Sequence, residues 1–503
     1  MNASVWGYPR GDGSFGIRNH VAVIAAMDNV NPVARRICES VKGTVPICVA
    51  YGRGQFGDDL AQHDRVLLNY ATHPNVAAVL IVGLEPVTTQ RLAAAAGAAG
   101  RPVRALDVQS AGGTIEAVAQ GIRDAAALVV ESSDIVRAPM PLSELVIGVE
   151  CGASDATSGL TANATTGLVA DWLVEAGGVV ILSETDEIVG AEASLAARAS
   201  KPEVAARLLA AVTRLEAQSA FQGLQLWPLG EDNIAGGLTT VEEKSLGAVR
   251  KGGTSPLQEV VGYGEKPRCK GLVFMDAPAP GVENIAALAA GGAHLILFNT
   301  GVGNPVGHPL SPTIKLTGNP TTAQRFADNI DVDVSGILTD GQTLEQAATK
   351  LRETMLRVAA GRMTQSEVLG DTEVSISRIE LGFFSFQVGL SSPANGSPPA
   401  FLNLAGIHPA IHPASVPGAG ERCDIGHQRR NIIGNAAAFK VAHALAISLV
   451  LCVAVAAFIR VELRRGPKAA RFQPAQENDG YFQIRLNFRH LHAPGLGLCA
   501  DRA

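Results

Sequence analysis

SELVIGVECGASDATSGLTAN, residues Ser143 to Asn163, sets an apolar run against a dense polar turn. The mainly apolar run SELVIGV, Ser143–Val149, reads as a buried strand. The turn that follows carries Glu150 and Cys151, then Ser154, Asp155, Thr157 and Ser158 between Gly152 and Gly159. A helical pattern from about Thr161 to Ala176 comes next. Open α/β sheets bind their ligands at the carboxyl ends of strands, where such a turn would sit. This placement reads as an enzyme's, although Ser154, Asp155, Thr157 and Ser158 are each equally suited to capping the coming helix.

The same strand–turn–helix rhythm extends in both directions. Upstream, His20–Met27, Thr44–Ala50 and Ala77–Leu84 read as strands, with helices from Pro32 and around Asp58–Ala71 between them. Downstream, strands are expected at Val146–Glu150, Val179–Ser183, Gly271–Asp276 and His294–Phe298. A helix over Thr343–Gly361 and a closing strand near Glu373–Ile379 complete the pattern. Alternation of this kind implies parallel sheets with right-handed crossovers. The fold expected is α/β, with two mostly parallel-sheet domains, residues 1–135 and 136–384, meeting near the prolines of Ile135–Leu142. Residues 385–503 read as an irregular tail with one hydrophobic helix at Val441–Ile459. Those 19 apolar residues, followed by Arg460, Arg464, Arg465 and Lys468, are long enough to cross a bilayer. A membrane is expected as a partner only if this tail is a genuine anchor.

The chain has 503 residues, a formal net charge of −6 and 47% hydrophobic residues. No basic block or aromatic-plus-basic stripe points to nucleic acid, so the expected ligand is a small molecule. Seven scattered cysteines argue against a disulfide framework or a zinc ribbon and fit a reducing cytoplasm. The first residues lack a secretory pattern.

Chemistry-bearing residues cluster where strands are expected to end. Glu150, Cys151 and Asp155 offer ligands to a divalent cation, oxygen suiting Mg or Mn and thiolate favouring iron or zinc. Glu184 ends another strand in SETDEIVGAE (Ser183–Glu192), whose Glu187 reads as surface. GGLTTVEEKSLG (Gly236–Gly247) sets Lys244 beside two carboxylates, as a proton acceptor or as a solvated salt-bridge cluster. The glycine-rich run Asn299–Pro309 and Ile314–Pro320, with Asn304 and Lys315, suits an anion or is a connecting loop. Arg18 or Arg10 in GYPRGDGSFGIRNH could grip an acid group bidentately. Arg53 lies in the YGRGQ turn after the second strand.

Taken together, GDGSFGIRNH, HPNVAAVLIVGLE, ECGASDATSGLTAN, ILSETDEIVGAE, GGLTTVEEKSLG and the TGVGN and IKLTGNP segments resemble the altronate and galactarate dehydratase family over about Gly7–Ile379. YGRGQFGDD, GLEP and TGNP further resemble the large subunit of sulfolactate sulfo-lyase, a branch of the same family. The resemblance implies a cytoplasmic, divalent-metal-dependent hydro-lyase (Fe, Mn or Mg) that removes water from a sugar acid or related hydroxy acid. In the sulfo-lyase branch sulfite leaves instead. A non-catalytic binding subunit of the same fold is the alternative from another class. On the matching motifs, Lys244, Glu184 and Glu150 are the expected catalytic residues, and Cys151 and Asp155 the expected metal ligands. Arg18, Arg53, Ser154, Asn163, Lys315 and Asn304 are the expected substrate contacts. A homo-oligomer and a separately encoded small subunit are further implications. The chain departs from the dehydratases in having Asn29 and Arg53 where they often carry cysteine, and Leu84-Glu85-Pro86 where they often have Gly-Cys-Glu.

Overall fold

The structure, a computed structural model, describes residues 4–221 and 229–379. The chain opens with strands β1 (Ser4–Pro9) and β2 (Phe15–Gly16), an antiparallel pair. Four parallel strands follow: β3 (His20–Ala25), β4 (Thr44–Ile47), β5 (Val76–Gly83) and β6 (Val103–Asp107), in the order β4-β3-β5-β6. Pro46 lies on β4, at the edge of this sheet, where a missing ladder donor costs least. β7 (Ala138–Pro141) returns to pair with β1.

The chain then builds a seven-stranded parallel sheet in the order β10-β11-β9-β8-β12-β13-β14. Its strands are β8 (Val146–Cys151), β9 (Val179–Leu182), β10 (Leu257–Val261), β11 (Gly271–Met275), β12 (Leu295–Asn299), β13 (Thr313–Thr317) and β14 (Val332–Asp333). The expected α/β class with parallel sheets is therefore the observed one.

Helices cover both faces of each parallel sheet. Each strand of the first sheet is followed along the chain by a helix: α1 (Asn31–Ser40), α2 (Gly57–Ala71), α3 (Pro86–Ala98) and α4 (Thr114–Ser133). The second carries α5 (Ala162–Glu175), α6 (Glu192–Ala196), α7 (Pro202–Phe221), α8 (Glu231–Ala235), α9 (Val241–Val249) and α10 (Gly281–Ala290). Further on, α11 (Pro320–Arg325), α12 (Gly336–Thr339) and α13 (Leu344–Ala359) close this part.

Period-2 alternation sorts the strand side chains into separate cores. Val21 and Val23 of β3 face α1 and α4, whereas Ala22 and Ile24 face α2. Ile147 and Val149 of β8 face α5, α7 and α13. The opposite face of the large sheet, with Ile181, Val273 and Phe298, shares one apolar cluster with α10, α2 and the small sheet. Gly148 makes that contact close: a Cβ there would lie 3.1 Å from the Leu288 Cβ of α10.

Two expectations meet a different outcome. Ile314–Pro320 was expected as loop; Thr313–Thr317 is instead the buried strand β13, because Ile314 and Leu316 alternate with Lys315 across its two faces. Glu373–Ile379 was expected as a closing strand. The described residues give only an isolated bridge, between Gly307 and Thr372, with Val374 and Ile376 buried in the inter-sheet core. Among the described residues no helix is long and apolar enough to cross a membrane. The tail 385–503 and its expected hydrophobic helix lie outside the described residues.

Candidate active site

Register places the first group of polar residues. Glu150 of β8 pairs with Phe298 of β12, which pairs with Lys315 of β13. The three side chains therefore stand in a row on one face of the sheet, the face covered by α10. The Lys315 ammonium sits 3.3 Å from the centroid of the Phe298 ring and donates to the carbonyl of Val306. Asn284 of α10 donates to one Glu150 oxygen. The other oxygen, Oε1, has no hydrogen-bond partner among the described residues and faces Gly281 at the start of α10. Glu150 and Lys315 are both fully buried. Burial pushes the Glu150 carboxyl up to about 8, against the pull of the Lys251 ammonium. Burial likewise pushes the Lys315 amine down to about 7.

A second group adjoins it on the next residue, Cys151. Its thiol lies 3.0 Å from Glu187 Oε2, to which it donates, and accepts from Lys251 Nζ at 3.0 Å. Its backbone N–H donates to Glu184 Oε1 at 3.2 Å. Lys251 also pairs with Glu184, both fully buried, and Lys244 pairs with Glu187 at 2.8 Å. Lys244 further donates to Asn233 of α8 at 3.2 Å. The result is a continuous chain, Lys244–Glu187–Cys151–Lys251–Glu184, in which each carboxylate and the thiol touches one ammonium. Burial raises the Cys151 thiol and the Glu184 carboxyl well above their usual ranges; the neighbouring carboxylates add to this and Lys251 opposes it.

The backbone is bent to make this possible. Glu184 adopts φ 72, ψ 70 and Ala153 φ 55, both in the left-handed region. A non-glycine residue there costs about 1–2 kcal/mol. Such outliers persist where surrounding contacts determine them, and they gather at functional sites. Glu184 precedes a 3-10 turn, Thr185–Ile188, that brings Glu187 back to the same cluster.

Cys151, Glu184 and Glu187 each offer a ligand atom, all within 4.8 Å of one another. One thiolate and two carboxylates suit a divalent transition metal. The donor set therefore fits a cation, and a cation entering it would replace ammonium contacts that Lys251 and Lys244 now make.

The other expected residues fall at various distances from this core. Asp155 lies apart from the triad: its Oδ1 accepts from the amide and hydroxyl of Thr157 and the hydroxyl of Ser158, and its Oδ2 from Asn319 at 2.6 Å. Ser154 is buried, its carbonyl accepting from Asn233 and its hydroxyl without a partner among the described residues. Asn163 donates to Gly247 and accepts from Asn299. Asn304 caps Val306 and lies beside Gly152. Arg18 forms a bidentate pair with Glu367 and donates to the carbonyls of Val358 and Arg362, tying the first parallel sheet to the end of α13. Arg53 is exposed on the loop after β4 and lines a cavity at the end of the small sheet.

Sequence reasoning missed Lys251, Glu187, Asn284 and Asn233 as members of the cluster. Lys251 lies in an Arg-Lys-Gly-Gly turn with no apolar context, so nothing marked it as buried. Glu184 and Glu187 do carry a signal, a three-residue spacing that one 3-10 turn closes.

The chain's similarities follow the two parallel sheets. Residues 7–133 match the family description D-galactarate dehydratase/altronate hydrolase, second domain, and residues 142–381 match D-galactarate/altronate dehydratase, C-terminal. The chain is similar to a (2R)-sulfolactate sulfo-lyase subunit beta of Chromohalobacter salexigens, at 38% identity over 377 residues, covering 74% of this chain and 97% of that protein. It is similar to altronate dehydratase of Escherichia coli, at 32% over 375 residues, covering 72% and 74%. Against the galactarate dehydratase (L-threo-forming) of Escherichia coli the identity is 35% over 230 residues, 45% of this chain and 43% of that protein.

Proposed function

This chain belongs to the D-galactarate/altronate dehydratase family, and from that premise we propose that its buried carboxylate–thiol–lysine cluster eliminates water from a small hydroxy acid. The observation that carries the reading is the Glu150–Phe298–Lys315 row beside the Cys151–Glu184–Glu187 triad. An elimination next to a carboxylate needs a base for the α-proton, positive charge for the enediolate and an acid for the leaving group.

The row supplies the first and last. Lys315, held near neutrality as an amine, accepts the α-proton. Glu150, held as a neutral carboxylic acid, donates to the departing oxygen. The Lys251 and Lys244 ammoniums steady the negative charge that develops between these events. A divalent cation (Fe, Mn or Mg) on Cys151, Glu184 and Glu187 would supply further positive charge to the same species. Because the cluster is closed to water, substrate entry requires the cover to move. That cover has two parts: α10 lies over Glu150 through Asn284 and Gly281, and α8–α9 lie over Glu187 through Asn233 and Lys244.

A second reading keeps the same centre with sulfite as the leaving group. It is favoured by the coverage of nearly the whole sulfo-lyase subunit beta. That relative's name also supports a separately encoded small subunit as a partner. Incubating the full chain with sugar acids and with sulfolactate, with Fe, Mn or Mg added, separates the readings. A 2-keto-3-deoxy acid without sulfite marks dehydration; stoichiometric sulfite marks the sulfo-lyase. Turnover of neither class under any metal, with the small subunit of the sulfo-lyase relative present, would reject the lyase.

A further inference from the structure

The carboxyl end of the small parallel sheet holds a cavity of about 350 Å³ that shares no residue with the lyase centre. It lies where the connections diverge: α1 leaves β3 toward one face, and α2 and α3 leave β4 and β5 toward the other. Such a switch point is where open α/β sheets leave room for a ligand, and the volume is that of a small-metabolite site.

Its charges are unequal. Arg91 is neutralised bidentately by Asp64. Glu85 is engaged by the amides of Val87 and Thr88 at the start of α3. Arg53, at the mouth, makes no ion pair among the described residues. Deeper in, the Gln55 side chain is 7% exposed, and its buried Oε1 has no hydrogen-bond partner among the described residues. A buried acceptor in that state is open to a donor from a ligand or a water. His63, 2% exposed, is kept neutral by burial; its Nε2 lies 3.3 Å from the Ala26 carbonyl, so only its Nδ1 remains to meet a ligand hydroxyl, without charge. The loop that carries Arg53 and Gln55 is fixed against the end of β3. Gly52 has φ 136, and a Cβ there would lie 2.7 Å from Met27 Cα.

We propose that this cavity binds a small monoanionic hydroxy acid, its acid group on Arg53 and its hydroxyls on Gln55, His63 and Gln109. Of the charged groups lining the cavity, Arg91 and Asp64 pair with each other and the Glu85 carboxylate is held by two amides, which leaves the Arg53 guanidinium to meet one acid group among hydroxyls. A neutral polyol leaves Arg53 without a partner, and an apolar acid leaves Gln55 without a donor. The site is a second one, and its occupancy does not depend on turnover at the buried cluster.

Calorimetric titration of the full chain with D-gluconate and D-glycerate, and with their neutral counterparts D-sorbitol and glycerol, tests this. At least one acid is expected to bind tenfold or more tightly than its polyol. Arg53→Met is expected to abolish that preference, and Gln55→Leu to weaken the acid severalfold. Glu150→Gln, which disables the lyase centre, is expected to leave acid binding within twofold of wild type. Binding of neither acid by wild type, an unchanged preference in Arg53→Met, or loss of acid binding in Glu150→Gln would each overturn the proposal. A lyase without acid binding at Arg53 rejects this site alone; acid binding without turnover rejects the lyase alone.

Discussion

Lys251 and Glu184 illustrate what burial demands of single residues. Both are fully buried and paired with each other. Removing one partner strands a charge in a site without water, at a cost of about 3–5 kcal/mol, whereas removing both costs far less. Lys251→Met is therefore expected to lose about that much stability in urea unfolding followed by circular dichroism. The double variant Lys251→Met with Glu184→Gln is expected to recover most of it. A double variant as unstable as the sum of the two singles would show that the pair is not coupled. The sequence made half of this pair legible. Glu184 follows the apolar run VVIL and so stands at a strand's carboxyl end. Lys251 follows Arg250 and precedes two glycines, a composition shared with solvated turns, and only the fold reveals that this turn is tucked inside. Glu187 misleads for the same reason: four acids in ten residues read as surface until a 3-10 turn folds two of them inward.

At the scale of elements, position depends on close backbone contact more than on propensity. Gly167 sits in the middle of α5, where alanine is intrinsically favoured by about 1 kcal/mol. Yet a Cβ there would lie 2.2 Å from the carbonyl of Arg250, on the turn that carries Lys251. Gly167→Ala is expected to lower both the melting temperature and turnover by displacing that turn. A variant more stable than wild type with full activity would mean that the turn's position is immaterial. Strands flanked by polar turns, such as Val146–Cys151 and Leu295–Asn299, were legible because their apolar runs are continuous. Thr313–Thr317 was not, since the glycine-rich sequence on both sides of it outweighs two apolar residues. Glu373–Ile379 has a strand's alternation but follows a partnered bridge with no ladder, so its apolar residues serve the core instead.

Among the described residues, the two parallel sheets are joined by an interior that contains neutral histidines. His294 reaches from the large sheet to the carbonyl of Phe15, at 2.7 Å, and Asn75 donates to the carbonyls of His294 and Leu310. Tyr70 of α2 lies against the His308 ring, 5.3 Å between centroids. Burial holds His20 and His294 down to about 4 and His308 down to about 3. Their folded values lie below that of the unfolded chain, so the unfolded chain takes up protons first as pH falls. The histidines' contribution is then full above about pH 6.5 and declines below it, by up to about 1.4 kcal/mol per pH unit for each histidine, while the raised Glu150 and Glu184 carboxyls act in the opposite direction. Urea unfolding at pH 7 and pH 5 is expected to show that loss, and His308→Gln to reduce it by one histidine's share. An unchanged pH dependence in His308→Gln would remove that residue from the account.

The central claim, that the buried cluster is the catalytic centre of a lyase, meets its most direct test in the turnover of Glu150→Gln across pH. Glutamine has the shape of the neutral carboxyl that burial already favours at this position, so the variant is expected to fold. Its kcat is expected to fall by about 10²–10⁴. The wild-type profile should rise through about pH 7 as Lys315 loses its proton and fall through about pH 8 as Glu150 does. In the variant the falling limb should be gone. A folded Glu150→Gln enzyme with wild-type kcat and an unaltered pH profile would contradict the assignment.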